Sequence, residues 1–148
     1  MFDQQETGID KDIHVRITAL AQEMERNGGG PHDPVRSVMG LLGDRWSSLI
    51  LLVLETGEWR HAELRRTTAR LSSEQAISQR VLTLKLRALE REGFIERRAS
   101  ADVPPRVSYS LTPLGQDLIG EVRGMIAWIG ARRATILANR AAFDAQDG

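Results

Sequence analysis

Residues 77–111 hold a helix with its own start and stop signals followed by two strand-like runs around a proline pair, and no other feature narrows the choice of fold as far. Ser78 suits an N-cap, because its hydroxyl can accept from a free amide of the first turn, and Ile77 with Leu82 has the spacing of a hydrophobic staple. Leu82, Leu86 and Leu89 then recur as a buried helical stripe, and Gly93 supplies the stop. Arg80, Thr83, Arg87 and Arg91 fall on a different stripe. Taken alone, this helix reads equally well as a solvated surface element or as a DNA reader. The residues after it add specificity. Residues 95–99 and 107–111 suit two strands, the second alternating Val107, Tyr109 and Leu111 inward with Ser108 and Ser110 outward. A loop over residues 100–106, stiffened by Pro104 and Pro105, joins them as a hairpin. A capped helix followed by a hairpin is the order of parts in a winged helix-turn-helix, whose helix enters the major groove while basic hairpin residues reach phosphates or the minor groove.

The flanking segments fit that frame. Ile9, Ile13, Ile17, Leu20 and Met24 form the stripe of an amphipathic N-terminal helix, ended by Gly28, Gly29, Gly30 and Pro31, which act as a joint. This glycine run lacks the Lys-Ser/Thr ending of a phosphate loop. Pro34 opens a short helix carrying Val35, Val38, Met39 and Leu42, and Gly43 breaks it. Asp44 is the expected N-cap of a core helix over residues 45–55, apolar all round at residues 49–54. Trp59 and Arg60 suit a short edge strand before a polar helix over residues 61–68, with Ala62 and Leu64 as its packing contacts and Arg65 and Arg66 exposed. Residues 69–76 are turn-prone around Ser72 and Ser73. Thr112 and Pro113 read as an N-cap and first helical position for a long final helix, whose stripe Leu114, Leu118, Val122, Met125 and Ile129, continuing toward Ile136, exceeds what one small core can cover. Such an excess points to a two-fold dimer.

Overall composition excludes more than it identifies. The chain has 148 residues, 41% apolar content and no formal net charge. Its charge is nonetheless uneven: residues 60–106 hold 11 basic and 6 acidic side chains, leaving 9 basic and 14 acidic elsewhere. An ordinary chain also fluctuates by a few charges, so this basic centre supports nucleic-acid binding only in company with the motifs. With no cysteine, thiolate metal sites, cysteine nucleophiles and thiol redox switches are ruled out. His14, His32 and His61 are isolated, without metal-ligand spacing, and Ser47-Ser48 has no adjacent base in sequence. No cofactor, metal or membrane span is therefore expected, and the cytoplasm is the expected location. Trp46, Trp59 and Trp128 would line an effector pocket or pack as ordinary core.

Several local patterns in combination resemble the HxlR family of bacterial transcription regulators. They are Leu42-Gly43-Asp44-Arg45-Trp46, Arg60-His61-Ala62-Glu63-Leu64-Arg65-Arg66, Ile77-Ser78-Gln79-Arg80-Val81-Leu82-Thr83, Glu90-Arg91-Glu92-Gly93 and Pro104-Pro105-Arg106-Val107-Ser108-Tyr109, in the family's order. The resemblance spans roughly residues 34–130 and implies a dimeric winged helix, with flanking helices at the dimer interface, the helix from Ser78 as DNA reader and the Pro-Pro hairpin as wing. Three departures stand out. Asp33 occupies the place of a cysteine used for redox sensing in some members, His61 stands where an aromatic residue is usual, and residues 67–76 are longer than the usual turn.

The resulting expectation is a mostly α fold with a small β-hairpin, a winged helix-turn-helix made dimeric through flanking helices. Residues 1–33 would form the amphipathic helix and joint, residues 34–112 the DNA-binding domain, and residues 113–148 the dimerisation helix and tail. The expected partners are double-stranded DNA, a second copy of the chain and an unidentified small-molecule effector. Ser78, Gln79, Arg80 and Thr83 are the candidate base readers, with Arg65, Arg66, Arg87, Arg97, Arg98 and Arg106 as further DNA contacts. The expected function is a repressor that binds a palindromic operator; a winged helix reused for protein interaction, or an enzyme, are the alternatives.

Overall fold

Helix stop signals and strand alternation place most of the elements seen in the computed structural model, which describes residues 3–72 and 76–148, with side chains from Asp10 onward. The chain forms two compact units, Met1–Asp44 and Arg45–Gly148. The division thus comes later than the glycine-rich joint, and the winged core and C-terminal helices belong to one unit.

In the first unit, α1 (Asp3–Arg26) is followed by α2 (Pro34–Leu42). Pro34 stands at the start of α2, and the Asp33 carboxylate caps it by accepting from the Val35 amide at 2.8 Å. No described side chain of this unit is buried. Ile13, Ile17, Leu20 and Met24 on α1, and Val35 and Met39 on α2, are exposed. The side chain of Ile9 lies outside the described residues.

The second unit contains α3 (Ser47–Leu54), β1 (Trp59–Arg60), α4 (His61–Leu71), α5 (Gln79–Arg91), β2 (Ile95–Ala99), β3 (Val107–Leu111), α6 (Pro113–Ala131) and α7 (Arg133–Asp147). As its apolar sequence requires, α3 is central, with Ile50, Leu51, Val53 and Leu54 buried. Leu64, Leu82, Leu86, Leu89, Phe94, Ile95, Tyr109, Ile119 and Val122 complete most of the core. The three strands form an antiparallel sheet in the order β1-β3-β2, with Trp59 opposite Tyr109, Arg60 opposite Ser108 and Arg98 opposite Ser108.

Several local expectations need correction. Asp44 does not cap α3: the helix starts after Trp46, with no side-chain cap. Ala62 is exposed, and Thr68 takes the second inward position of α4 beside Leu64. That helix continues to Leu71, so residues 69–71 extend it where a turn was expected. Ser73 of the expected turn lies outside the described residues. On β3 only Tyr109 is buried, while Val107 and Leu111 are half-buried, because one helical layer covers the middle of so short a sheet. The long C-terminal helix is interrupted at Arg132, whose guanidinium lies 4.0 Å from the Trp128 ring centre and donates to the Trp128 carbonyl at 3.0 Å.

Two junctions hold α5 and α6 in place. At the end of α5, Gly93 adopts φ +85°, and the Gly93 and Phe94 amides donate to the carbonyls of Glu90 and Leu89 at 2.9 and 3.0 Å, closing the helix with a left-handed turn. Thr112 then caps α6 by accepting from the Gly115 amide, donates its hydroxyl to the Gly93 carbonyl, and donates its backbone amide to the Phe94 carbonyl. Near the middle of α6, Arg123 donates through Nε to Glu55 at 2.7 Å and also through Nη2, joining α6 to α3. Accordingly the Glu55 pKa is lowered, first by this hydrogen bond, and that of Arg123 is raised by the same partner.

Candidate nucleic-acid interface

The start of α5 is fixed by the Ser78 hydroxyl, which accepts from the Val81 amide at 3.1 Å, while Ile77 and Leu82 are both buried as the staple requires. Burial of Leu82, Leu86 and Leu89 turns the other face outward. Ser78, Gln79, Arg80 and Arg87 are exposed there, whereas Thr83 is half-buried. The Thr83 hydroxyl is occupied internally, 2.9 Å from the Gln79 carbonyl and 3.0 Å from His61 Nε2. On α4, Arg65 and Arg66 are exposed as expected.

The wing is an ordered hairpin. Its loop is closed by the Ser100 amide donating to the Arg106 carbonyl and the Arg106 amide donating to Ser100 Oγ, both at 2.9 Å. Val103 at its tip is almost fully exposed. Arg97, Arg98 and Arg106 are all exposed, but successive strand residues point to opposite faces, so Arg97 and Arg98 leave the hairpin from opposite faces. Arg97 lies across from Tyr109, on the face that covers the core. Arg98 lies across from Ser108, which also lies opposite Arg60, in a row that crosses all three strands.

That second face carries a groove of about 470 Å³ lined by Arg60, Arg98, Arg106, Glu58, Glu63 and Trp59 among others. Its cations are partly engaged. Arg98 pairs with Glu96, Nε to Oε1 at 3.3 Å, and Arg106 lies 3.9 Å from Asp102. The Arg98 pKa is raised, first by the Glu96 hydrogen bond, then by the charges of Glu96 and Glu58. Glu58 also accepts from the Ser108 hydroxyl. The sequence reading did not single out Arg60 or Glu58 because their alignment depends on the β1-β3 register, which is non-local. His61 was likewise missed as a site residue. It is half-buried, its ring centre lies 6.4 Å from that of Tyr109, and its pKa is lowered, first by burial and then by the charge of Arg65.

The three tryptophans do not share a site. Trp46 is in the core, Trp59 borders the groove and donates to Thr56 Oγ1 at 2.9 Å, and Trp128 is exposed beside Glu121, Gly124 and Met125 on α6. Among the described residues no group of three or more metal-ligating side chains is placed to hold an ion, and no single helix is long and apolar enough to cross a membrane.

Comparison with known proteins agrees with this arrangement of helix and wing. The HxlR-like helix-turn-helix family model matches residues 41–135. The chain belongs to the HxlR family. It is 37% identical over 123 residues to the HTH-type transcriptional regulator YtfH of Escherichia coli K12, covering 82% of this chain and 93% of that protein. A second relative, the HTH-type transcriptional regulator YdeP of Bacillus subtilis, is 38% identical over 95 residues, covering 64% and 70% of the two chains. Among solved structures, the putative regulator YtfH of Salmonella typhimurium aligns with a TM-score of 0.62 at 36% identity over 77% of this chain and 96% of its own. The redox regulator HypR in its reduced form aligns with a TM-score of 0.60 at 34% identity over 72% of this chain and 99% of its own. This HxlR-family chain is a transcriptional regulator with a helix-turn-helix DNA-binding domain. Its 148 residues contain no cysteine, so a thiol switch has no chemical basis within them.

Proposed function

We propose that the protein is a repressor that binds a palindromic operator as a homodimer, with α5 in the major groove and the β2-β3 wing along the adjoining backbone. The observation that carries the DNA-binding part is the capped start of α5, where Ser78, Gln79 and Arg80 stay exposed while Leu82, Leu86 and Leu89 anchor the opposite face. A helix held this way can present donors and acceptors to base edges with little loss of side-chain freedom elsewhere. Arg65, Arg66, Arg87, Arg97, Arg98 and Arg106 then supply phosphate contacts, Arg98 and Arg106 by exchanging their carboxylate partners for phosphate.

Dimerisation follows from a different surface. Met125, Ile126, Trp128 and Ile129 on α6, with Leu137 and Phe143 on α7, are all exposed in the single chain. An apolar face of this size is commonly covered by another protein surface, and a two-fold copy would place two reading helices about 34 Å apart on successive major grooves. The exposed stripe of α1 is a second surface that such pairing can bury.

Selection of bound duplexes from random DNA tests the proposal. The expected product is an inverted repeat with half-sites one helical turn apart, bound by a dimer, and placing that repeat over a promoter should reduce transcription. Arg80→Ala should relax base preference, whereas Arg97→Ala should weaken binding to all duplexes and flatten the salt dependence by about one unit. Failure to enrich any sequence, together with no binding at low salt, would remove the DNA-reading assignment. Enrichment of a single half-site by a monomer would remove the dimer.

A further inference from the structure

We propose that His61 is a positioning residue, whose imidazole Nε2–H ties the first turn of α5 to the start of α4 through the Thr83 hydroxyl, leaving base reading to Gln79 and Arg80. This rests on the DNA-reading role of α5. The observation is a chain of three polar atoms: Thr83 Oγ1 lies 2.9 Å from the Gln79 carbonyl, one turn back on the same helix, and 3.0 Å from His61 Nε2. A hydroxyl has one proton to give. The carbonyl can only accept, and with the Thr83 proton directed to Gln79, as its 2.9 Å contact allows, Nε2 supplies the proton of the second contact. The proposal thus assigns the neutral ring the Nε2–H tautomer.

Both elements that His61 joins are fixed by other contacts. His61 is the first residue of α4, directly after β1, and its ring leans on buried Tyr109. At the other end, Thr83 lies between Leu82 and Leu86 of the core stripe and four residues after Gln79, which is exposed. Thr83 thus acts as an internal strut: the Gln79 contact lies within α5 and turns with it, whereas rotation of α5 about its axis would break the contact to His61.

Nitrogen NMR of histidine-labelled full-length protein tests the strut without DNA. Wild type should show His61 as a single Nε2–H tautomer, and Thr83→Val should convert it to a mixture. Duplex binding then tests the consequence, using the selected operator and a random duplex with wild type, His61→Phe, Thr83→Val, the double variant and His61→Gln. Phenylalanine can pack against Tyr109 but cannot donate, so each single variant should weaken operator binding about fivefold, the worth of one hydrogen bond. The double variant should be no weaker than either single one. Random-duplex affinity and the preferred bases should stay unchanged, and glutamine, which can donate, should recover part of the loss. An Nδ1–H tautomer, a tautomer indifferent to Thr83→Val, additive losses, or a base preference altered by Thr83→Val would each overturn the proposal. If wild type binds no duplex, the DNA-reading assignment fails separately, and the nitrogen spectra still decide whether the strut exists.

Discussion

Gly115 is the position at which a single methyl group should do most damage. A Cβ built there would lie 2.0 Å from the Phe94 carbonyl oxygen, 3.0 Å from its carbon and 3.2 Å from Leu111 Cδ2. Two of these atoms are backbone and cannot rotate away. That same carbonyl accepts from the Thr112 amide at 3.1 Å, and the Gly115 amide donates to the Thr112 hydroxyl at 3.1 Å. Relieving the clash moves the first turn of α6 outward and strains or breaks both bonds. Loss of the cap costs about 1 kcal/mol, loss of the amide bond about 1 kcal/mol, and residual overpacking about 1–3 kcal/mol. Gly115→Ala should therefore destabilise by about 3–5 kcal/mol, lowering the melting temperature by at least about 12 °C for a unit of this size. Gly120, also on α6, has nothing within 4 Å of a built Cβ, so Gly120→Ala gains helix propensity and should stabilise the isolated chain by up to about 1 kcal/mol. Thermal and urea unfolding of both variants, followed by circular dichroism at one protein concentration, makes the comparison. A Gly115→Ala protein melting within about 3 °C of wild type would refute the argument that this backbone approach is tight.

Three further outcomes are expected. The Thr68 hydroxyl is fully buried with no hydrogen-bond partner among the described residues, so Thr68→Val, which keeps the shape, should raise stability by about 1 kcal/mol; a drop in urea midpoint would show that the hydroxyl is satisfied in solution. Glu55 has its pKa lowered by Arg123, so the stability this pair contributes is complete above the ordinary carboxylate value of 4.5 and disappears as pH falls through the lowered one. Unfolding measured from pH 7 to pH 3 should accordingly show a shallower acid loss in Glu55→Gln, and unchanged slopes would contradict the linkage. Glu96 occupies the guanidinium of Arg98, so Glu96→Gln should strengthen binding to any duplex at low salt and steepen the salt dependence. Fluorescence anisotropy on a random duplex reads this directly, and weaker binding would mean that Glu96 orients Arg98 for DNA.

Signals confined to a few neighbouring residues were legible in the sequence. Ser78 with its staple, Gly93, and Thr112 with Pro113 each act through bonds spanning one helical turn, and each stands where the local chemistry required. Strand limits at residues 95–99 and 107–111 were equally readable, because side-chain alternation and a proline-containing loop define them locally. Asp44 misled because a good capping side chain does not by itself fix where the helical dihedrals begin, and α3 starts beside Trp46, which is buried. The break at Arg132 follows Gly130, but Gly120 and Gly124 lie uninterrupted within the same helix, so a glycine alone did not announce it. At the interface, exposure of the α5 cations followed from the leucine stripe. The row from Arg60 through Ser108 to Arg98 did not, since it depends on a pairing between residues far apart in the chain. His61 and Thr83 were obscure for the same reason: their bond crosses between two helices.

The Thr112 junction has a mechanical consequence. Its hydroxyl grips the Gly93 carbonyl and its backbone amide the Phe94 carbonyl just after α5, while the same residue caps α6, so the two helices meet through one short residue. Such a joint has almost no slack. In the proposed dimer, a small molecule that tilts α6 would swing α5 with it as a rigid crank, changing the pitch and spacing of the two helices without touching a single base-facing atom.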